Sequence, residues 1–276
     1  MRYFIKLYFL IIIFMLISAI FTYSAFEFKT VSPESAAFSG IRSILSTKSS
    51  SLFYNPALLG EVRQIELEFF YTKLFGLDKL KLNTASFCAP FLKGGFGIGY
   101  SCFGESDFYK EEIINFGIGY NVFDDVFLGV SIKDMALYLG EIDSKRGIVG
   151  VDLGVRFKYR KSCFGFSTSN INRPKIGKSI KEELARDFNF GWRLEAYKNI
   201  DVLLECFKML GFSPGYRLGI ENRLFNTIFL RAGIQSRPFI YSCGLGIKSK
   251  IVLLSYAYTF HDNLGGQSFF CIGFAF

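Results

Sequence analysis

The only histidine of this chain, His261, is the one residue on which a hydrolytic acid–base site could be built. In a serine hydrolase the histidine takes a proton from the nucleophile, and an acid orients its ring. The neighbours in sequence are Asp262, Ser255 and Ser268. Their spacing defines no nucleophile–base geometry, and a lone histidine in a polar turn is usually a solvated side chain. We therefore predict no catalytic residue and no enzyme activity.

The six cysteines fall on six different predicted strands: Cys88, Cys102, Cys163, Cys206, Cys243 and Cys271. None has Cys-x-x-Cys spacing and no histidine cluster accompanies them, so the usual zinc signatures are absent. An even number of cysteines in an exported chain leaves disulfides open, but each cysteine stands where a small apolar residue would serve. We predict free thiols, buried or lipid-facing, and no metal site.

Two glycine motifs are reminiscent of nucleotide binding. Gly177-Lys178-Ser179 resembles the end of a phosphate loop, but the glycine expected five residues earlier is Asn172. Gly95, Gly97 and Gly99 alternate with bulky residues, which is typical of a strand with one small face. The basic excess, 32 Lys and Arg against 24 Asp and Glu, is scattered along the chain. The sequence therefore predicts no cofactor and no nucleic-acid partner.

The first 25 residues predict a secretory signal peptide. Arg2 and Lys6 give it a positive start, and an apolar run continues to Ile20. Small residues permit cleavage after Ser24 or Ala25. The alternative, a membrane-anchoring helix, needs roughly 20 apolar residues to cross a bilayer, and this run is shorter. We expect an exported chain.

From residue 63 to residue 276 the sequence alternates with a period of two and is interrupted by turn residues, which predicts fourteen β-strands. The predicted strands are Arg63 to Phe75, Leu82 to Leu92, Gly94 to Phe103, Ile113 to Val122, Val126 to Leu139, Ile148 to Tyr159, Ser162 to Asn170, Phe188 to Tyr197, Asp201 to Lys208, Tyr216 to Phe225, Thr227 to Gln235, Ile240 to Lys248, Ile251 to Phe260 and Gln267 to Phe276.

One face of most of these strands is bulky and apolar, and the other is small, polar or charged. In Tyr216 to Arg223, for example, Leu218 and Ile220 alternate with Arg217 and Glu221. Fourteen strands enclose more space than a soluble barrel could fill with its own inward side chains, so we expect the apolar face to meet lipid. The charges then line the lumen: Arg156, Lys158, Arg193, Glu195, Arg217, Glu221, Arg223 and Arg231. We expect them to pair with one another and with Glu34, Arg42 and Glu61, or else to select what passes.

The connections between strands alternate in length. Those after the even-numbered strands are tight, and most of those after the odd-numbered strands are longer, the longest being Ile171 to Asp187. This parity is typical of membrane barrels, whose periplasmic turns are short and whose outer loops are longer. It places both ends of the barrel on the periplasmic side.

The last strand ends the chain on an aromatic residue, with Phe270, Ile272, Phe274 and Phe276 on one face. It resembles the C-terminal strand by which outer-membrane barrels are recognised for assembly, so Phe274 and Phe276 are predicted assembly-signal residues and the barrel assembly machinery a predicted partner. A closing strand with a lipid-facing stripe is the simpler interpretation. Both interpretations place the chain in the outer membrane, in contact with its lipid.

Residues 26–62 form an irregular segment, and a segment of that length inside a compact domain needs a reason. It contains Ser35 to Gly40 and the run Ser51 to Gly60, in which Asn55-Pro56 is ordinary turn chemistry. The two runs together resemble the N-terminal region of FadL-like fatty-acid transporters and of PorV/PorQ barrels of type IX secretion. The resemblance implies a fourteen-stranded antiparallel transmembrane barrel whose lumen holds an N-terminal hatch. By it, the hatch motif would be Tyr54, Asn55, Pro56, Ala57 and Gly60.

Three functions follow as expectations from that resemblance. The first is FadL-like passive transport of small hydrophobic molecules, the second a PorV-like barrel that docks exported proteins or a secretion-system partner, and the third a structural barrel. Transport is preferred narrowly, because a long hatch needs a role. The short outer loops oppose it, since FadL-like transporters capture ligand in a groove built from long ones. The predicted domains are a signal peptide (1–25), a hatch (26–62) and a barrel (63–276).

Overall fold

The computed structural model describes residues 25–27, 29–46, 48–105, 109–140, 147–177 and 181–276. The predicted signal peptide lies outside the described residues, apart from Ala25. Among the residues described, no helix is long and apolar enough to cross a membrane.

The described residues form sixteen β-strands, of which fourteen close into one antiparallel barrel and two form a separate ribbon. The barrel strands are β1 (Glu66–Lys73), β2 (Lys81–Phe91), β3 (Gly94–Glu105), β4 (Tyr109–Phe123), β5 (Val126–Leu139), β6 (Gly147–Tyr159), β7 (Ser162–Thr168), β10 (Asp187–Tyr197), β11 (Ile200–Met209), β12 (Gly215–Leu224), β13 (Ile228–Ser236), β14 (Phe239–Lys248), β15 (Val252–His261) and β16 (Gly265–Ala275). The ribbon strands are β8 (Lys175–Ile176) and β9 (Glu182–Glu183).

Each barrel strand pairs with the next one along the chain, β7 pairs with β10 across the ribbon, and β1 closes the barrel against β16. The predicted strand count and fold class are therefore confirmed. The backbone N–H of Ile65, just before β1, donates to the carbonyl of Phe276 after β16. The first and last strands therefore start and finish at the same end of the barrel, which is the end with the short turns. We call this end of the barrel the inner end and the opposite end the outer end.

The faces of the strands are as predicted. In β12, Leu218 and Ile220 are exposed on the outer wall, whereas Arg217 and Glu221 are buried in the lumen. The outer wall carries bulky apolar side chains such as Phe116 along its strands. A wall of this kind suits a hydrocarbon environment, because its apolar side chains then face lipid and are not exposed to water.

Several boundaries differ from the prediction. The first strand begins at Glu66 and not at Arg63, because the chain is still leaving the lumen there. At the outer end β3 and β4 continue to Glu105 and Tyr109, which face each other in the ladder, so the predicted gap Gly104 to Glu112 is mostly strand. The gap between β13 and β14 is only 237–238. The length difference between outer and inner connections is therefore weaker than the sequence suggested.

The longest outer loop, residues 169–186, carries the β8–β9 ribbon that the sequence analysis did not predict. Ile176 and Leu184 from this loop are buried against Phe26 and Met135, in one apolar cluster at the outer end. The loop thus packs down onto the barrel mouth. The lumen below it is filled by residues 26–62, which contain helix α1 (Pro33–Ala37) and the 3-10 helices Ser49–Phe53 and Pro56–Glu61.

Candidate functional site

The hatch, residues 26–62, runs through the lumen from the outer end to the inner end. At the outer end the amide of Phe26 donates to Glu111 Oε1 (3.0 Å), close to the start of β4. At the inner end the helix Pro56–Glu61 packs on β3, β4, β5 and β6 before the chain enters β1. Most of its side chains are buried, and Phe38, Ile41, Ile44 and Leu58 are wholly so.

Helix α1 forms the first packed element of the hatch. Ser32 caps it by accepting from the amide of Ser35 (3.2 Å), and Pro33 occupies the first turn, where a missing N–H costs nothing. All five of its residues are buried against β13 to β16. Ser242 on β14 then fixes the chain beyond the helix, because its hydroxyl donates to the carbonyl of Ala37 (2.7 Å).

Asn55 ties the second half of the hatch to both the first half and the wall. Its Oδ1 accepts from the amide of Ala57 (3.1 Å) and so begins the helix that Pro56 enters. Its Nδ2 donates to the carbonyl of Ser43 (2.8 Å) and to that of Val155 on β6 (3.3 Å). Only an amide side chain supplies an acceptor and two donors at one position, which accounts for asparagine here.

Glycines on the wall admit this turn. A Cβ on Gly154 would lie 1.9 Å from Asn55 Oδ1, and one on Gly129 would lie 2.2 Å from the amide nitrogen of Ala57. On Gly119 it would lie 2.2 Å from the nitrogen of Gly60. The hatch backbone therefore lies directly on the backbone of the wall, with no layer of side chains between them.

Five charged side chains among the described hatch residues form ion pairs in the lumen. Glu34 pairs with Lys48 of the hatch (2.5 Å) and lies 4.0 Å from Arg231 on β13. Arg42 pairs with Asp187 at the start of β10. The other two bind at opposite ends of the lumen: Lys29 to Glu111 (2.6 Å), and Glu61 to Arg156 (2.5 Å) and Lys158 (2.6 Å).

Glu205 on β11 accepts three hydrogen bonds from the hatch. Its Oε2 accepts from the amides of Arg42 (3.0 Å) and Ser43 (2.8 Å) and from the Ser43 hydroxyl (2.6 Å). Its Oε1 accepts from Arg217 (2.7 Å), directly opposite on β12. A buried carboxylate with this many donors is fully compensated, so it fixes the hatch loop rather than repelling it.

The structure brings most of the predicted lumen charges together. Arg193 on β10 pairs with Asp201 (2.5 Å) and Glu221 (2.9 Å). Glu221 also pairs with Arg231 (2.7 Å), and Asp201 with Arg223 (3.1 Å). Arg156, Lys158 and Arg217 have the partners given above. Glu195 is half-buried and forms no ion pair with the residues that the structure describes.

The predicted hatch motif residues Tyr54, Asn55, Pro56, Ala57 and Gly60 are all buried in the lumen. Phe276 is exposed on the outer wall and Phe274 is partly so. Their functional roles remain predictions. Sequence reasoning missed Asp187, Glu205 and Glu111. Asp187 and Glu205 each adjoin an apolar residue in their strands, and that alternation could have assigned both to the lumen. Glu111 stands between Lys110 and Glu112, so no such alternation marks it.

Several cavities border the hatch, and one of about 180 Å³ lies between Ser46 and Lys48 of the hatch and the inner part of the wall near Phe229 and Arg231. A small one of about 90 Å³ lies near Phe53, Phe103, Met135 and Asn189. A larger one of about 630 Å³ opens at the outer end, between the first half of the hatch and the walls of β11 to β16. It is lined by Phe207, Phe212, Arg217, Arg237 and Phe269, among others.

The remaining candidates for chemistry lie apart from the hatch contacts. All six cysteines are free: Cys88, Cys163 and Cys271 are buried, Cys102 is partly buried, and Cys206 and Cys243 are exposed. His261 Nδ1 accepts from the amide of Asn263 (3.1 Å) in the outer turn. Within the described ranges no group of three His, Cys, Asp or Glu side chains could hold a metal ion.

Comparison with known proteins gives one family match. The family model described as "Type IX secretion system membrane protein PorP/SprF" matches residues 108–269. A search of curated protein sequences finds no match.

Solved structures resemble the whole barrel. A Pseudomonas aeruginosa FadL homologue matches with a TM-score of 0.64 at 11% identity, over 92% of this chain and 99% of that one. The Ralstonia pickettii toluene transporter TbuX matches with 0.62 at 12% identity, over 88% and 97%. The Pseudomonas putida toluene transporter TodX matches with 0.58 at 13% identity, over 91% and 98%. At these identities the likeness shows a shared fold.

Proposed function

Because the chain belongs to the PorP/SprF family of type IX secretion system membrane proteins, we propose that this outer-membrane barrel is a closed docking barrel. Its lumen does not conduct, and its outer end binds exported proteins of the secretion system. This reverses the narrow preference for transport that the sequence alone supported.

The observation that carries the proposal is how the hatch is held. Glu34, Arg42 and Glu61 are each paired in the lumen, and Glu205 holds two hatch amides. Breaking one buried ion pair by removing a partner costs about 3–5 kcal/mol, because the other charge is left uncompensated. A path through the lumen would break several of these contacts at once. The hatch is therefore a fixed plug in the resting protein.

The sizes of the cavities support the same function. Sites for small organic ligands usually occupy about 300–1,000 Å³, well above the small cavity of about 90 Å³ near Phe53 and Met135. The outer cavity, at about 630 Å³, is large enough but opens to the outside. Its aromatic and arginine lining, including Phe212 and Arg237, is of the kind enriched where proteins bind proteins.

A liposome assay tests the closed lumen. Purified barrel is reconstituted, and the leak of a fluorescent fatty acid is compared between the wild type and a variant lacking residues 26–59. We expect the wild type to leak no faster than protein-free liposomes, and the deleted variant to leak faster. Leak through the wild type above that baseline would contradict a closed barrel.

A cell-based assay tests docking. Phe212→Ser combined with Arg237→Glu alters the outer cavity without replacing any of the ion-pair partners of the hatch described above, and Lys198→Gln at an exposed inner turn is the control. We expect the double variant to lose surface retention of type IX-exported proteins and the control to keep it. Normal retention with both variants would exclude the outer cavity as the docking site.

FadL-like transport is the second candidate, and one observation favours it. The outer cavity has the size of a ligand site and directly borders the hatch at Ser39, Gly40 and Arg42. A hydrophobic molecule bound there would touch the plug. In the same liposomes, saturable uptake of the fatty acid by the wild type, abolished by Phe212→Ser, would establish this function instead.

A further inference from the structure

The start of the hatch combines a left-handed backbone with a buried carboxylate partner. Phe26 has φ of +55°, in the left-handed region that bulky side chains rarely adopt. Its backbone nitrogen donates to Glu111 Oε1 at 3.0 Å, and this carboxylate is only 4% exposed. The Phe26 ring is buried against Met135, Leu137 and Leu184. A strained residue is thus held at a buried charge.

We propose that the mature chain begins at Phe26 and that its α-ammonium group is seated on Glu111 at the outer end of the lumen. The hatch is then anchored at both ends, by its free terminus at the outer end and by its continuation into β1 at the inner end. This inference is independent of whether the barrel docks proteins or transports small molecules.

A chain that begins at Phe26 removes the backbone conflict. The angle φ is defined by the carbonyl carbon of the preceding residue, so a first residue has no such restriction. The sequence allowed cleavage after Ser24 or after Ala25. The left-handed φ of Phe26, at the residue whose nitrogen meets Glu111, favours the second. Ala25 contributes only one methyl group to the apolar cluster, which keeps its larger members when that residue is removed.

The chemistry of Glu111 fits an ammonium group. Its Oε2 binds the ammonium of Lys29 at 2.6 Å, and its Oε1 accepts from the Tyr109 hydroxyl (2.5 Å) as well as from Phe26. Hydrogen bonds between two charged groups are about twice as strong as those between neutral ones. An α-ammonium at the Phe26 nitrogen would therefore bind Glu111 more strongly than an amide does.

The cleavage step is hydrolysis of the Ala25–Phe26 amide by a signal peptidase. Water adds to the carbonyl carbon, the C–N bond breaks, Ala25 leaves as a carboxylate and the Phe26 amine takes up a proton. The α-ammonium proposed to bind Glu111 Oε1 exists only after this step, whereas the Lys29 ammonium on Oε2 is present throughout. Removal of the leader and seating of the hatch are therefore coupled.

Mass spectrometry of protein purified from the outer membrane tests the first part of the proposal. We expect a mature chain whose first residue is Phe26. Any other first residue, including Ala25, overturns it.

Labelling of the amine tests the second part. An amine-reactive reagent near pH 7 prefers an α-amine, whose ordinary pKa is about 8, over lysine, whose pKa is about 10.4. We expect the Phe26 amine to be protected in the folded protein and labelled after unfolding in urea. Equal labelling of folded and unfolded wild type would overturn the docking of the terminus, and this comparison needs no variant.

Glu111→Gln removes the charge on the lumen side of β4, and Glu112→Gln removes the neighbouring one, which points away from the lumen to Tyr100 and Lys110. Folded Glu111→Gln should label roughly tenfold faster or more, since a hydrogen bond to a charged group is lost. Glu112→Gln should match the wild type. Similar labelling of both variants would overturn the role of Glu111.

Discussion

The two halves of the hatch are held in different ways. Residues 31–46 are fixed by charge: Arg42 pairs with Asp187, and Glu205 binds the amides of Arg42 and Ser43. Residues 49–62 have the longer backbone contact with the wall, because Asn55 to Gly60 lie against glycines of β4, β5 and β6, and we call them the shape-fixed half. The division is one of degree: Glu61 adds ion pairs to the second half, and Ser43 in the first half lies against Gly165. The charged half also borders the outer cavity, and the shape-fixed half does not.

This difference indicates which half can respond to a partner at the outer end. An ion pair keeps part of its attraction when the groups move by an ångström, and water can replace it. Backbone packed on backbone at van der Waals distance has no such tolerance. We therefore expect any motion of the hatch to begin in residues 31–46, with residues 49–62 remaining as the seal.

The largest effect should come from the charged half. Asp187→Ala removes the carboxylate that pairs with the buried Arg42 guanidinium, and we expect a loss of about 3–5 kcal/mol in the free energy of unfolding. Urea unfolding in lipid vesicles, followed by the fluorescence of Trp192, measures it. Asp125→Ala at an exposed inner turn is the control. Equal shifts in both variants would show that the pair does not hold the hatch.

Replacing both partners sharpens the same comparison. The variant Arg42→Met with Asp187→Leu removes the two charges together, so neither is left unpaired. We expect it to recover most of the stability lost in Asp187→Ala, because an apolar pair of similar volume often replaces a buried ion pair at little cost. If the double variant loses as much free energy of unfolding as Arg42→Met and Asp187→Leu lose in total when each is made alone, this explanation is wrong.

The next effect tests the shape-fixed half. Gly154→Ala places a methyl group 1.9 Å from Asn55 Oδ1, whereas Gly147→Ala in the same strand meets only Asp134 Oδ1 at 3.4 Å. We expect Gly154→Ala to cost about 3 kcal/mol, at the upper end of overpacking effects. Gly147→Ala should stay close to the wild type. The same unfolding assay distinguishes them, and equal stability would mean that the wall has room for side chains.

Asn55→Ala should have a somewhat smaller effect. It removes the cap on Ala57 and leaves the buried carbonyl of Ser43 without its donor. Unpaired buried groups cost about 1–3 kcal/mol, so we expect a loss of about 2 kcal/mol. The fatty-acid leak should rise with it, because this half is the seal. If Asn55→Ala lowers stability but leaves the fatty-acid leak at the wild-type level, then residues 31–46, and not residues 49–62, close the lumen.

The smallest effect should come from an ion pair outside the lumen. Lys73 pairs with Asp78 at the outer end (2.5 Å), and its hydrogen bond lowers the pKa of Asp78. A lowered carboxyl pKa adds stability above the unfolded value, and that stability disappears as the pH falls through the folded value. Solvent screens this exposed pair, so we expect Lys73→Gln and wild-type unfolding curves to coincide at pH 7 and at pH 4. A clear difference at pH 7 would be inconsistent with that screening.

The strands and their faces could be predicted from the sequence because both depend on local information. Alternate residues of a strand point to opposite sides, so the pattern of Arg217, Leu218 and Glu221 already separates lumen from outer wall. The strand Val126–Leu139 was predicted with both its boundaries. Strand ends such as Glu105 and Tyr109 were missed, because pairing with a neighbour, and not composition, extends a strand beyond its hydrophobic core.

The partners of the lumen charges were decided by the tertiary structure. Glu205 meets Arg217 because the register of β11 and β12 places them opposite each other, and Asp187 meets Arg42 because the hatch loop passes the start of β10. The two residues of the second pair are 145 positions apart in the chain. Sequence by itself determined a membrane barrel with an irregular N-terminal segment, since the alternation of apolar and polar residues is a local property that needs no knowledge of distant contacts. Only the fold decided that this segment is a plug. Its first half is held mainly by charged side chains of the lumen and its second half mainly by close contact with wall glycines, because strand register and packing bring distant residues together.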